Sequence, residues 1–159
     1  KWEKPVRDWL NTKALAVQIE LGFLCSISMV LVGFIIRSII AGTPDPAEWS
    51  SFSTEARNIN GFITLGGAVF GTYTGYALMR KYASFSAKGA RGLRVARYVV
   101  GIIGLLLLYF GLDAAFSAIA DDESTLGYIL RYVRYGLATF WATFLAPWIF
   151  LKTRLAQPE

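Results

Sequence analysis

Residues 98–120, "YVVGIIGLLLLYFGLDAAFSAIA", contain a single charged side chain, Asp113. At about 1.5 Å of rise per residue, a helix of this length reaches about 34 Å, enough to cross a hydrocarbon core about 30 Å thick. The surface helix of a soluble domain would interrupt such a run with a polar face. None is present, so the stretch reads as a membrane span with an acid set inside it.

Three more apolar blocks flank this one, at about 21–40, 59–79 and 126–151. The composition agrees, with 55% hydrophobic residues and only 17% charged, a balance that favours a membrane protein over a globular domain. The expected fold is all-α: an integral membrane bundle of four transmembrane helices spanning 21–151. Residues 1–20 form a cytoplasmic or interfacial segment, and 152–159 a cytoplasmic tail. Within 1–20, Pro5 suits a first helical turn. Val6, Leu10, Val17 and Leu21 share one face beside Trp9, the pattern of a short interfacial helix. The chain opens on Lys1 rather than Met, which reads as a processed chain or a piece of a longer one.

The charges give an orientation. Lys1, Lys4, Arg7 and Lys13 precede the first block. Arg80, Lys81, Lys88, Arg91, Arg94 and Arg97 fill the connection between the second and third, and Lys152 and Arg154 follow the fourth. The two remaining connections carry Asp45, Glu48, Glu55, Asp121, Asp122 and Glu123 against Arg57 alone. This alternation places both termini in the cytoplasm under the positive-inside rule, in a bacterial-type inner membrane. The basic connection meets anionic headgroups rather than nucleic acid. Trp49 and Phe52 are expected to rest at the outer membrane surface.

Small residues predict where helices meet. Gly67, Gly71 and Gly75 recur every four positions and so share a face on which backbones can approach closely. Gly101, Gly104 and Gly111 mark a second seam on the third span. At 100° per residue, Asp113 projects from nearly the opposite side, together with Tyr109.

An acid within a span needs a partner. With a turn centred near Asp122, Asp113 and Arg131 lie level across a helical hairpin, and Arg134 sits one turn deeper on nearly the same face. Asp113 is therefore expected to pair with Arg131, Arg134 or both. Two readings follow: an ion pair holding the hairpin in register, or an anion site where the arginines take a phosphate or carboxylate headgroup. Glu20, near the first span's entrance, is a second membrane acid, and a small transporter could use it or Asp113.

The chain contains no histidine, which removes a Ser-His-Asp arrangement and any histidine ligand for zinc, haem or chlorophyll. The carboxylates do not cluster as a metal site requires. Cys25 is a lone thiol inside the first block. No catalytic residue, metal site or cofactor is expected, and the chain alone does not read as an enzyme.

The segments "GFITLGGAVFGTYTGYALMRK" (61–81), "RYVVGIIGLLLLYFGLDAAF" (97–116) and "LGYILRYVRYGLATFWATFLAPWIFLK" (126–152) together resemble the C-terminal membrane region of bacterial type-2 phosphatidic acid phosphatases. The entry segment "KWEKPVRDW" looks like the end of the last core helix of that family. The family's catalytic segments, Lys…Arg-Pro, Pro-Ser-Gly-His and Ser-Arg…His…Asp, do not occur here. The resemblance therefore implies a region appended to a catalytic core. Three functions remain open: a non-catalytic scaffold or accessory subunit of a larger membrane assembly, the C-terminal part of a lipid phosphatase, or a small transporter. The expected partners are membrane lipids and either other membrane subunits or an upstream catalytic domain.

Overall fold

The computed structural model describes residues 3–44, 48 and 57–158. Lys1, Asp45, Trp49, Phe52 and Glu55 lie outside the described residues. The described residues are mostly helical. A short α1 (Glu3–Asn11) leads into α2 (Leu15–Ile40), followed by α3 (Asn60–Tyr82), α4 (Arg91–Ser117) and α5 (Thr125–Phe140). A π-helical turn (Trp141–Leu145) joins α5 to α6 (Ala146–Lys152) without a break. Two-residue strands, β1 (Phe85–Ser86) and β2 (Gln157–Pro158), pair antiparallel with Phe85 opposite Pro158. The first span was expected at residue 21, but α2 starts at Leu15. Ala14, with ψ of 148°, separates it from α1. On α1, Trp9 is exposed, and the side chain of Val6 lies outside those described.

Two helices, α2 and α4, are long and apolar enough to cross a membrane. The other two expected spans depart from that standard for local reasons. Glycine and threonine dilute the apolar character of α3, and the last run is divided by its π turn. Pro147 explains the division. It has no N–H for the carbonyl of Thr143, and its ring crowds that carbonyl, so the preceding turn widens. The Ala146 N–H bonds Trp141 O, five residues back.

The core is a three-helix arrangement centred on α3. Helix α2 runs antiparallel to it: Gly33 lies on Phe62, Ser26 meets Gly66, and Gly22 lies on Tyr73. Helix α5 runs parallel to it, with Gly67 against the Tyr132 backbone, Gly71 against Gly136 and Gly75 against Thr143. A parallel neighbour needs a returning connection, and α4 supplies it, antiparallel to α5.

One end of the bundle gathers the basic residues. Lys13, Gln18, Arg80 and Lys81 line a recess of about 370 Å³ between the α1–α2 junction and the end of α3. The β1–β2 pair brings the α3–α4 connection to the C-terminal tail. There Arg97, the one buried residue of α4, donates to Leu93 O, Ser86 O, Ala87 O and Lys88 O at 3.1–3.3 Å. A guanidinium offers five donors in a fixed fork, and this one is used to order a loop. Phe85 packs edge-on to Phe150 beneath it, in a cluster with Ala146 and Ala156. Arg154, at φ 59°, turns the tail back so that the Ala156 N–H reaches Phe150 O.

Candidate functional site

The polar residues of the α4–α5 hairpin make up the candidate site. Ser124 sets its start: its Oγ accepts the Gly127 N–H at 2.9 Å and caps α5. A hydroxyl there satisfies one of the donors left unpaired in a first turn. The cap fixes the position of Arg131 and Arg134 along the helix.

Asp113 Oδ1 forms an ion pair with Arg134 Nη1. Arg131 Nη2 binds Asp122 Oδ2 in the connecting turn at 2.7 Å. The three residues expected to meet are thus divided between two pairs, and Asp122 joins as an acid the sequence reading left in the loop. The offset follows from side-chain direction. Helical side chains lean toward their helix's N-terminus, which for α5 means toward the turn. Arg134 thereby comes level with Asp113, and Arg131 comes level with Asp122.

Burial is unequal across the inner pair, with the Arg134 side chain 8% exposed and that of Asp113 48%. The Arg134 guanidinium lies 5.4 Å from the Tyr109 ring centre and 5.2 Å from that of Tyr135. These ring faces offer further stabilisation to a charge that has left water. The two rings meet edge to face, and their hydroxyls lie 3.2 Å apart. Each arginine keeps a buried Nε–H with no hydrogen-bond partner among the described residues.

Asp113 stands across α4 from Gly104 in projection, yet both positions meet the last helical run. The partly buried stripe on that helix runs through Arg97, Gly101, Leu105, Tyr109 and Asp113. Steps of four advance about 40° round the helix each time, so the contact face winds, and Gly104 meets the π turn while Asp113 meets α5. Trp141 fills the gap at Gly104, where any Cβ would overlap its indole. The Trp141 Nε1–H donates to Gly101 O at 3.1 Å. A Cβ placed on Gly101 would meet Phe150 at 3.7 Å, in ordinary contact, and among the described residues nothing lies within 4 Å of one placed on Gly111. Gly111 therefore takes no part in a packing seam among the described residues.

The α3 seam is tight at each of its three glycines. Side chains at these positions would strike Tyr132 O, Gly136 O and Thr143 Oγ1 respectively. Hydroxyls bridge the same contact: Thr139 Oγ1 donates to Ala68 O at 3.1 Å, and Ser26 Oγ to Gly66 O at 2.7 Å. Ser26 is fully buried, and its Oγ lies 2.6 Å from Tyr132 Oη, tying α2 to α5 across α3. Sequence reading missed this link, since a serine amid apolar residues carries no periodic signal. Glu20 lies exposed on α2, apart from the hairpin charges. Among the described residues, no group of three acids, cysteines or histidines is placed to hold a metal.

The comparisons with known proteins agree with this architecture. A family model described as PAP2 superfamily phosphatase, transmembrane extension, matches residues 63–158. The matched region covers α3 from Ile63 onward, α4, the capped hairpin and the π turn. No curated protein and no solved structure matches the chain. The matching family is a membrane extension rather than the catalytic domain, and more than half of this chain falls within it: the chain belongs to the PAP2 superfamily phosphatase transmembrane extensions.

Proposed function

We propose that this chain is a non-catalytic membrane scaffold that packs beside a PAP2-type catalytic unit and holds it in the bilayer. The observation that carries the reading is the family membership of a region with no histidine. Transfer of a phosphoryl group through a histidine requires that side chain, so the chemistry belongs to another segment or subunit. What this chain offers is rigidity, through glycine contacts between α2, α3 and α5 and polar links that span them.

In this account the bundle crosses the membrane four times, through α2, α3, α4 and the continuous α5–α6 run. The end that gathers Lys13, Arg80, Lys81, Arg97 and Lys152 faces the cytoplasm, and the end with Asp121, Asp122 and Glu123 faces outward. Segregation of basic residues at one end supports this orientation. Both termini are then cytoplasmic, in an inner membrane. The Asp113–Arg134 pair acts as a clasp that keeps α4 on α5, and Gly67, Gly71, Gly75 and Gly104 set the distances at which the helices meet.

The test is reconstitution. The isolated chain in phosphatidic-acid vesicles is expected to release no inorganic phosphate, while the natural membrane assembly that contains it does. Phosphate release by the isolated chain would refute a non-catalytic role.

A further inference from the structure

An apolar groove of about 520 Å³ runs between α2 and α5 over α3, lined by Phe23, Ile27, Phe34, Ile63, Ile129 and Tyr132 among others. It ends at Tyr128, which also lines a second hollow, of about 320 Å³, with Arg37, Arg57, Asn58 and Glu123. The two are therefore continuous at one side chain: a greasy channel opening into a mouth that carries both signs of charge. Tyr128 marks the change in character. Its ring meets Phe34 edge to face, while its hydroxyl accepts from Arg37 Nη1 at 3.3 Å.

Three features identify an occupant. From Phe23 to Phe34 along α2 the groove covers about 16 Å at the helical rise. One leaflet of a hydrocarbon core about 30 Å thick has nearly the same depth. The wall is open on one side, with Phe23 43%, Phe34 41% and Ile129 55% exposed, so a chain can enter sideways from lipid. The mouth combines arginines with a carboxylate. Arg37 has a neutral phenol as its hydrogen-bond partner among the described residues, and Glu123 is exposed at the same opening. A headgroup that bears a phosphate and an ammonium complements both.

We propose that this groove holds one phospholipid of the phosphoethanolamine class, with an acyl chain along α2 and α5, its phosphate on Arg37 and its ammonium on Glu123. The site is separate from the Asp113–Arg134 pair. It rests on the bundle's lying in a membrane and not on the link to a phosphatase, so a failure of either leaves the other standing. A lipid bound here would cover the α2–α5 cleft and bridge the two helices.

The test uses the intact chain, delipidated in detergent and titrated with phosphatidylethanolamine or phosphatidylglycerol of identical acyl chains. Native mass spectrometry counts the lipids retained. One phosphatidylethanolamine is expected per chain, bound at least about fivefold tighter than phosphatidylglycerol. Arg37→Gln should weaken both lipids about tenfold, whereas Glu123→Gln should keep the binding and abolish the preference. Ile129→Trp, which fills the groove at an exposed position, should remove both while the helical circular dichroism persists. The proposal is overturned if the wild type retains no lipid, if phosphatidylglycerol binds as well or better, or if Arg37→Gln leaves binding unchanged.

Discussion

Neutralising Asp113 tests how much the clasp contributes. In Asp113→Asn the Arg134 guanidinium stays where it is, 8% exposed between two tyrosine rings, but loses its counter-charge. Removing one member of a fully buried pair costs about 3–5 kcal/mol. Two features reduce that figure here. The carboxylate is half open, and each ring contributes about 0.5–1 kcal/mol to holding the cation. Polar couplings between membrane helices average about 0.6 kcal/mol and reach about 1.7. The loss should therefore be about 1–2 kcal/mol. SDS titration of the chain in detergent micelles, followed by far-ultraviolet circular dichroism, measures it. The second half of the experiment is Asp113→Asn/Arg134→Met, which removes both charges and keeps an unbranched apolar stem. It should be more stable than the sum of the two single losses predicts, by at least about 0.5 kcal/mol. Strict additivity, or a cost below about 0.3 kcal/mol for Asp113→Asn, would show that the pair does not hold the hairpin.

Other perturbations examine separate parts of the structure. Gly71→Ala places a methyl on Gly136 O and Thr139 Oγ1 and should cost about 1–3 kcal/mol by overpacking, whereas Gly111→Ala, which meets nothing, should stay within about 0.5 kcal/mol; the same titration compares them. Trp141→Phe deletes the bond to Gly101 O and should cost about 0.5–1.5 kcal/mol. Arg97→Ala releases the three loop carbonyls it holds, and limited trypsin treatment should then cut at Lys88 several times faster with little change in the overall unfolding midpoint. For topology, single cysteines at Ser86 and Ser124 in a Cys25→Ser background should react with a membrane-impermeant thiol reagent only from the cytoplasmic side and only from the outer side, respectively.

Much of the bundle was legible in the sequence. The length of the 98–120 run marked α4, and the four-residue spacing of Gly67, Gly71 and Gly75 marked the face of α3 that α5 meets, because a helix repeats its face nearly every four residues. The second seam was only partly legible. Its contact stripe winds about α4, so Asp113 and Gly104, opposite in projection, both meet the last helical run, at α5 and at the π turn respectively. The Asp113–Arg134 pair was among the pairings the spacing allowed, whereas the Arg131–Asp122 pair was not foreseen. Sequence spacing locates Cα atoms, whereas the lean of long side chains decides which charges touch. The division of the last helix was not foreseen: the length of the 126–151 run suggested one continuous span, and Pro147 within it sets the π turn. The Ser26–Tyr132 link and the packing of Trp141 on Gly104 left no mark, since each depends on helix rotation that only the folded bundle fixes.

The central claim is that this region serves a PAP2-type phosphatase without sharing its chemistry. It is tested most directly by affinity purification, from native membranes, of the natural polypeptide that carries these residues, followed by assay of phosphatidic acid hydrolysis. The account predicts that phosphatase activity stays with the purified assembly through repeated washing in mild detergent. A folded preparation of that natural assembly, washed in the same way and showing no lipid-phosphate phosphatase activity, would contradict it.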